Sequence, residues 1–231
     1  MSADVEFVTD LDVPKQQHMV LCLPGKQFSQ NYVGSLTRLL QWLVKHKWRV
    51  TLRMAYKANV FACRNFLFGV PQRPADNVPF EGKIPTYTHM LWIDSDMVFS
   101  PIHVQTLLSR NKPIICGCAK MQSGLYAIVE NRDLDYWREH QQYEYLTDKK
   151  LDKRSEPFTV AFTGMAFMLI QKGVIERFAF PWITQHFETL GDIIYPLGED
   201  VSFCERAQKL GFDIWVDPMV RIGHEKLKVI V

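Results

Sequence analysis

What this chain of 231 residues lacks narrows its options first. It has no apolar run long enough to span a bilayer and no secretory leader, so an integral membrane segment is not expected. It has no excess of one charge. The 27 basic and 25 acidic side chains leave a net +2, which argues against a nucleic-acid binder that relies on a large positive field. It has neither a zinc framework nor a disulfide ladder. The five cysteines (Cys22, Cys63, Cys116, Cys118 and Cys204) are odd in number, several sit in apolar runs, and Cys116-Gly-Cys118 is too tight for a relaxed structural disulfide. Buried reduced thiols in a cytoplasmic protein are the expectation. No internal repeat or low-complexity segment is present, so solenoids and wholly disordered chains drop out. What remains is a globular chain long enough for one sizeable domain, expected over residues 16–231. A loose, polar arm containing Pro14 is expected over residues 1–15.

The most informative stretch runs from Thr88 to Phe99. Leu91, Trp92 and Ile93 leave no polar face, so His89 to Ile93 reads as a strand buried on both sides, as in a parallel sheet covered by helices. It ends in two carboxylates, Asp94 and Asp96, with Ser95 between them. Residues i and i+2 of an extended strand leave the backbone on the same side. Two like charges at the end of a buried strand resist desolvation and call for a cation or polar partner. Mg²⁺ or Mn²⁺ bridging to a substrate phosphate would satisfy both, and ligands of open α/β sheets sit beyond the carboxyl ends of strands. The plainer reading is that Asp94 opens a turn, or caps the helix after Ser100-Pro101.

Around this stretch the periodicities alternate between strand and helix. His18 to Leu23 reads as a first buried strand, stopped by Pro24-Gly25. A helix capped by Ser29 follows, with Tyr32, Leu36, Leu39, Leu40, Leu43 and Val44 on one face. Trp48 to Met54 reads as a second strand and Val60 to Phe68 as a second helix, which together predict a mostly parallel sheet with right-handed crossovers. Val70 to Thr86, with four prolines, is expected to be loop. Further on, Ile102 to Ser109 reads as helix, and Pro113 to Cys118 and Leu125 to Val129 as strands. Asn131 to Arg154 reads as a solvated helix and loop. Phe158 to Ile170 is apolar but broken at Thr163-Gly164, where a glycine suggests close backbone approach. Pro181 to Leu197 reads as a surface flap. A helix from Gly198-Glu199-Asp200 to Leu210 is closed by Gly211, and strands at Asp213–Val216 and Val220–Ile222 end before Gly223-His224.

Three further groups carry chemistry in principle. Glu199 and Asp200 begin a helix, where the dipole favours acids; a cap explains one of them, and the pair also suits a carboxylate offered to a cleft as a general base. His224 is either an ordinary polar side chain or a neutral imidazole ligand for Mn²⁺. Arg64, on a largely apolar helix, wants a carboxylate or phosphate, and an internal salt bridge to one of the aspartates competes with a substrate contact.

In combination these motifs resemble the nucleotide-diphospho-sugar glycosyltransferases of the GT-A fold, and are similar to the inverting family 2 and its relatives in large DNA viruses that decorate capsid glycans. The resemblance spans His18 to His224. It rests on the order Asp94-Ser95-Asp96, Thr163-Gly164, Gly198-Glu199-Asp200 with its helix, and Gly223-His224. It implies a Rossmann-like α/β domain, a nucleoside-diphosphate sugar donor with UDP favoured over GDP, a glycan or glycoprotein acceptor, and Mn²⁺ or Mg²⁺. It implies that Leu23, Pro24 and Gly25 border the base, and that Arg64 sits near the base or diphosphate. Asp94 would reach ribose or metal, and Asp96 and His224 would ligate the metal. Thr163, Gly164 and Met165 would line the donor sugar, Trp182 would stack on a sugar ring, and Asp200 would be the base with Glu199 beside it. The location implied is cytoplasmic, in the host's cytoplasm for a viral enzyme. A sugar nucleotidyltransferase should show a Gly-rich phosphate loop where only Pro24-Gly25-Lys26 stands; an inactive glycan-binding domain of the same fold is the other alternative.

Overall fold

The computed structural model describes residues 4–5, 17–69, 78–190 and 193–226. The strands are β1 (Asp4–Val5), β2 (His18–Pro24), β3 (Arg49–Ala55), β4 (His89–Ile93), β5 (Met97–Val98), β6 (Ile114–Ala119), β7 (Ile128–Val129), β8 (Phe158–Val160), β9 (Phe162–Thr163), β10 (Phe167–Gln171), β11 (His186–Leu190), β12 (Ile193–Leu197) and β13 (Ile214–His224). The helices are α1 (Gln30–Lys45), α2 (Val60–Phe68), α3 (Pro101–Ser109), α4 (Leu134–His140), α5 (Asp148–Leu151) and α6 (Glu199–Lys209). The main sheet has the order β1-β3-β2-β4-β10-β6-β13-β5, with β8 also on β13. Strands β3, β2 and β4 are parallel neighbours, as are β6 and β13, and β10 runs antiparallel between β4 and β6. Five of the six long strands of this sheet therefore point the same way.

The two-sided burial expected from the apolar runs is carried out by alternation. Along β2, Met19, Leu21 and Leu23 enter one core cluster and Val20 and Cys22 the other. The first cluster includes residues of α1 and α3 (Leu39, Leu43, Val104, Leu107), and the second includes residues of α2 and α6 (Leu67, Phe68, Phe203, Ala207). Helix α1 is capped by Ser29, whose Oγ accepts from the Tyr32 amide at 3.1 Å. Its buried face is Tyr32, Ser35, Leu39 and Leu43; Val44 is exposed instead, and Ser35 takes a buried place because its Oγ accepts from the Phe99 amide at 3.2 Å. Helix α3 is capped by Ser100, so Asp94 is free of that duty.

Several expectations need correction. The strand read over Leu125–Val129 shrinks to Ile128–Val129. The two last strands are one, β13, whose pairing with β6 shifts register between Val216 and Arg221. Pro218 offers no N–H there, and the fully buried Asp217 accepts instead from the Met219 amide (2.9 Å) and Arg110 Nε (2.7 Å). Asn131 to Arg154 is not simply solvated: Trp137, Tyr143, Leu146 and Leu151 bury against the sheet. The flap is a hairpin, β11–β12, preceded by the buried pair Trp182 and Ile183. The arm expected over 1–15 lies outside the described residues except for Asp4–Val5, which pair antiparallel with β3. Of the proline-rich loop, residues 70–77 lie outside them too.

Candidate active site

The site is built where β4 stops. The Asp94 amide still bonds the Ala166 carbonyl (3.0 Å), but Met97 N–H then turns back to the Asp94 carbonyl at 3.2 Å. This turn ends the strand alternation, so Asp94 and Asp96 serve different partners instead of sharing one. Gly25, in the loop between β2 and α1, makes the close approach possible: a Cβ there would stand 2.4 Å from Ser95 Cβ.

Asp94 faces Arg64, on the second turn of α2, whose first turn is capped by Asn59. The guanidinium is 2% exposed and grips three acids. Its Nη2 donates to Asp94 at 3.3 Å, while Nη1 donates to Glu199 Oε1 at 3.2 Å and to Asp200 Oδ1. Burial pushes the guanidinium pKa down, but the charges of Asp200, Asp94 and Glu199 outweigh it and raise it, so it stays charged. Burial raises the carboxyls of Asp94 and Glu199 despite Arg64, with Asp200 adding repulsion to both. One guanidinium thus ties the end of β4 to the start of α6. It is spent on carboxylates rather than presented to a cavity, which is the internal salt bridge weighed above.

Asp96 faces the other way. Its carboxylate lies 2.9 Å from His224 Nε2 and 2.7 Å from Lys226 Nζ. Partial burial pushes its pKa up, but hydrogen bonds from Lys226 and the neighbouring imidazole prevail and hold it below the usual carboxylate range. The juxtaposition follows from register, because β5 pairs with the end of β13 through Gly223↔Val98 and His224↔Met97. A carbonyl can only accept, so the contact of His224 Nδ1 with the Lys120 carbonyl makes Nδ1 the N–H donor. Nε2 then carries a proton towards Asp96 only when the ring is charged; a cation held by both residues would take the place of that hydrogen bond and displace the Lys226 ammonium, which is bonded to the same Oδ2. The donor set, one imidazole nitrogen and one carboxylate oxygen, is of the kind that Mn²⁺ or Mg²⁺ accepts. The two residues fit such an ion as a pair. Among the described residues no group of three or more His, Cys, Asp and Glu side chains is placed to hold one, so the remaining ligands would have to come from substrate and water.

Among the described residues, three cavities lie around these side chains. One of about 310 Å³ is lined by Pro24, Gly25, Lys26, Tyr56, Lys57 and the 94–96 turn. A second of about 200 Å³ holds Glu199 and Asp200 under Tyr143, Tyr145 and Tyr195. A third of about 380 Å³, beyond His224, includes Lys120, Tyr126, Arg221 and Lys226. Other sequence candidates fall elsewhere. Leu23 is fully buried in the core and lines none of these cavities, unlike Pro24 and Gly25. Thr163 and Met165 are buried, while Gly164 leaves room beside the base candidate: a Cβ there would lie 3.6 Å from Asp200 Oδ2. Trp182 is corrected outright. It is 0% exposed, its ring packed at 5.6 Å from Phe68 and 5.3 Å from Phe180, and it has no face for a sugar. Tyr143 and Tyr145 belong to the tyrosine-rich stretch 131–154 and Tyr195 to the stretch 181–197, but no local pattern ties them to Asp200, and Lys226 carries no local signal.

No family profile matches this sequence, and no curated protein does. Solved structures do. The crystal structure of A197 from STIV covers 94% of this chain and 97% of its own at 14% identity, with a TM-score of 0.50. Drosophila β1,4-galactosyltransferase 7, in complex with manganese, UDP-Gal and xylobiose, covers 91% of this chain and 71% of its own at 11% identity and TM-score 0.48. GalNAc-T7 with UDP, GalNAc and Mn²⁺ covers 92% of this chain and 44% of its own at 12% identity and TM-score 0.47. Likeness at such identities concerns fold alone. The chain has an α/β fold, a large and mostly parallel sheet flanked by helices, and solved structures similar to it include glycosyltransferases.

Proposed function

We propose that this protein is an inverting glycosyltransferase that moves a monosaccharide from a nucleoside-diphosphate sugar, a UDP-sugar before a GDP-sugar, to a hydroxyl of a glycan acceptor. The observation that carries the reading is the pairing of Asp96 with His224 Nε2 at 2.9 Å beyond the carboxyl end of β4. The 310 Å³ cavity on the Gly25 side of that pair is of a size to take the nucleotide, with Lys26 and Lys57 as its cations. Asp96 and His224 would hold Mn²⁺ or Mg²⁺, and such an ion, when bound, neutralises charge on a diphosphate leaving group.

The remaining chemistry falls to the chain itself. Asp200 would accept the proton of the acceptor hydroxyl as that oxygen attacks the face of the anomeric carbon opposite the departing diphosphate. Arg64 holds Oδ1 of Asp200 and leaves Oδ2 beside Gly164, so the base has one oxygen fixed and one available. Glu199, on the same guanidinium, would position hydroxyls. A single displacement forms no covalent enzyme intermediate, and the anomeric configuration inverts.

The test is release of nucleoside diphosphate from a panel of UDP- and GDP-sugars with and without Mn²⁺, together with a thermal shift for each nucleotide. Turnover that needs the metal, and that Asp96→Ala and Asp200→Asn each reduce at least 100-fold, is expected. Absence of both binding and turnover across the panel would sink the reading. Full transfer by Asp200→Asn would remove the base assignment.

A further inference from the structure

The 200 Å³ cavity has walls that the proposed chemistry leaves unused. Its floor is Glu199 and Asp200, and its sides are Tyr143, Tyr145 and Tyr195, brought together from the segment between α4 and α5 and from strand β12. Two of these rings, Tyr143 and Tyr195, are fixed before any ligand arrives. Tyr195 stands edge-on to Trp137 at 4.9 Å, and Tyr143 edge-on to Phe162 at 4.9 Å and to Tyr195 at 6.4 Å. The Tyr143 hydroxyl accepts from Arg132 Nη2 at 3.2 Å, and Arg132 is in turn paired with Glu205 of α6. The aromatic wall and the helix that carries the acids are therefore one braced unit. Binding here costs little further ordering.

The shape and chemistry restrict the ligand. The volume is below the roughly 300 Å³ at which pockets for drug-sized ligands begin, so it suits one ring rather than an extended chain. Carboxylates accept from hydroxyls, and tyrosine rings cover an apolar C–H face. Among the described residues no lysine, arginine or histidine lines the cavity, and the guanidinium of Arg64 is already committed to its three acids. An anionic ring would bring a third negative charge beside two carboxylates with no cation to meet it.

We infer that this cavity is the acceptor subsite for a single neutral sugar ring, that Tyr145 and Tyr195 are its specificity-determining residues, and that uronic and sialic acids are rejected by Glu199 and Asp200. This rests on the transferase reading above, and the experiment separates the two. Saturation-transfer NMR on the full chain, with UDP and Mn²⁺ present, would compare methyl glycosides of glucose, galactose, mannose and N-acetylglucosamine with methyl glucuronide. At least one neutral glycoside should bind, with the glucuronide at least tenfold weaker. Tyr195→Ala and Tyr145→Ala should each weaken the neutral ligand at least tenfold, Tyr195→Phe should restore most of it because the ring face matters, and Tyr136→Ala, remote from the cavity, should change nothing. Thermal melts of each variant show whether it is folded. UDP binding without any glycoside, equal binding of the glucuronide, or indifference of folded Tyr195→Ala and Tyr145→Ala would overturn the inference and leave the transferase reading standing. Tyrosine-dependent glycoside binding by a chain that binds no nucleotide would uphold the sugar site and overturn the transferase reading.

Discussion

Replacing Arg64 by Met removes one positive charge from beneath three negative ones and keeps most of the side-chain volume. At an effective dielectric near 20, a unit pair separated by the 3.3 Å of Arg64 and Asp94 attracts by about 5 kcal/mol before desolvation is counted. Desolvation offsets much of that. What the substitution leaves, though, is Asp94, Glu199 and Asp200 crowded together without a counter-ion, and breaking a buried pair in this way costs about 3–5 kcal/mol. The side chains of the acids are 29%, 14% and 32% exposed, so water relieves part of the repulsion and the lower end, about 3 kcal/mol at pH 7, is expected. The pH dependence is the sharper check. Burial already holds the carboxyls of Asp94 and Glu199 above their ordinary values, and Arg64 opposes that rise. Without it both move further up, the folded variant takes up protons before the unfolded chain does, and acid stabilises it relative to the parent. Urea unfolding at pH 7 and pH 5 should show the deficit shrinking on acidification, and Arg64→Lys, a point charge that cannot span all three acids, should fall between. A loss under about 1 kcal/mol at pH 7, or a deficit that grows as pH falls, would refute the idea that one guanidinium neutralises this cluster.

Other perturbations test separate parts of the reasoning. Trp182→Ala should cost about 3–5 kcal/mol in thermal or urea melts, because the ring is core; unchanged stability with a selective loss of sugar binding would restore the stacking role. Gly25→Ala places a methyl 2.4 Å from Ser95 Cβ and should cost about 1–3 kcal/mol while weakening UDP binding in calorimetry; a variant as stable and as tight-binding as the parent would mean that the 94–97 turn yields freely. His18, 1% exposed between Thr51 and Thr86, has its pKa pushed from 6.5 to about 4 by burial and then by the charge of Arg49. The unfolded chain therefore takes up that proton first, and stability is lost as pH falls from 6.5 towards 4. His18→Gln should flatten this limb of the pH profile by up to about 3 kcal/mol, and a profile unchanged by the substitution would show that the imidazole is not held neutral.

Much of the architecture can be read residue by residue without coordinates. The apolar runs after His18 and His89 are buried on both faces because they carry no polar face, and Ser29 and Gly211 mark helix ends through backbone chemistry local to each. Helix α2 spans Val60–Phe68, as the periodicity indicated. The misreadings occur where a neighbour distant in sequence decides. Trp182 lies in a stretch that reads as surface yet meets Phe68, and the polar segment 131–154 buries four large side chains against a sheet that its own pattern does not announce.

The residue types of the site, acids after a buried strand and at a helix start with an imidazole near the end, were available from composition and spacing, because each motif is encoded within a few positions. Who neutralises whom was not. Arg64 meets Asp94 and Asp200 from 30 and 136 residues away, and His224 meets Asp96 from 128. Those meetings depend on sheet order: the antiparallel β10 enters between β4 and β6, β13 adds beyond β6, and its last residues turn onto β5 beside the carboxylates. Local periodicity says which face of an element is buried. Only the packed sheet determines which charges share it.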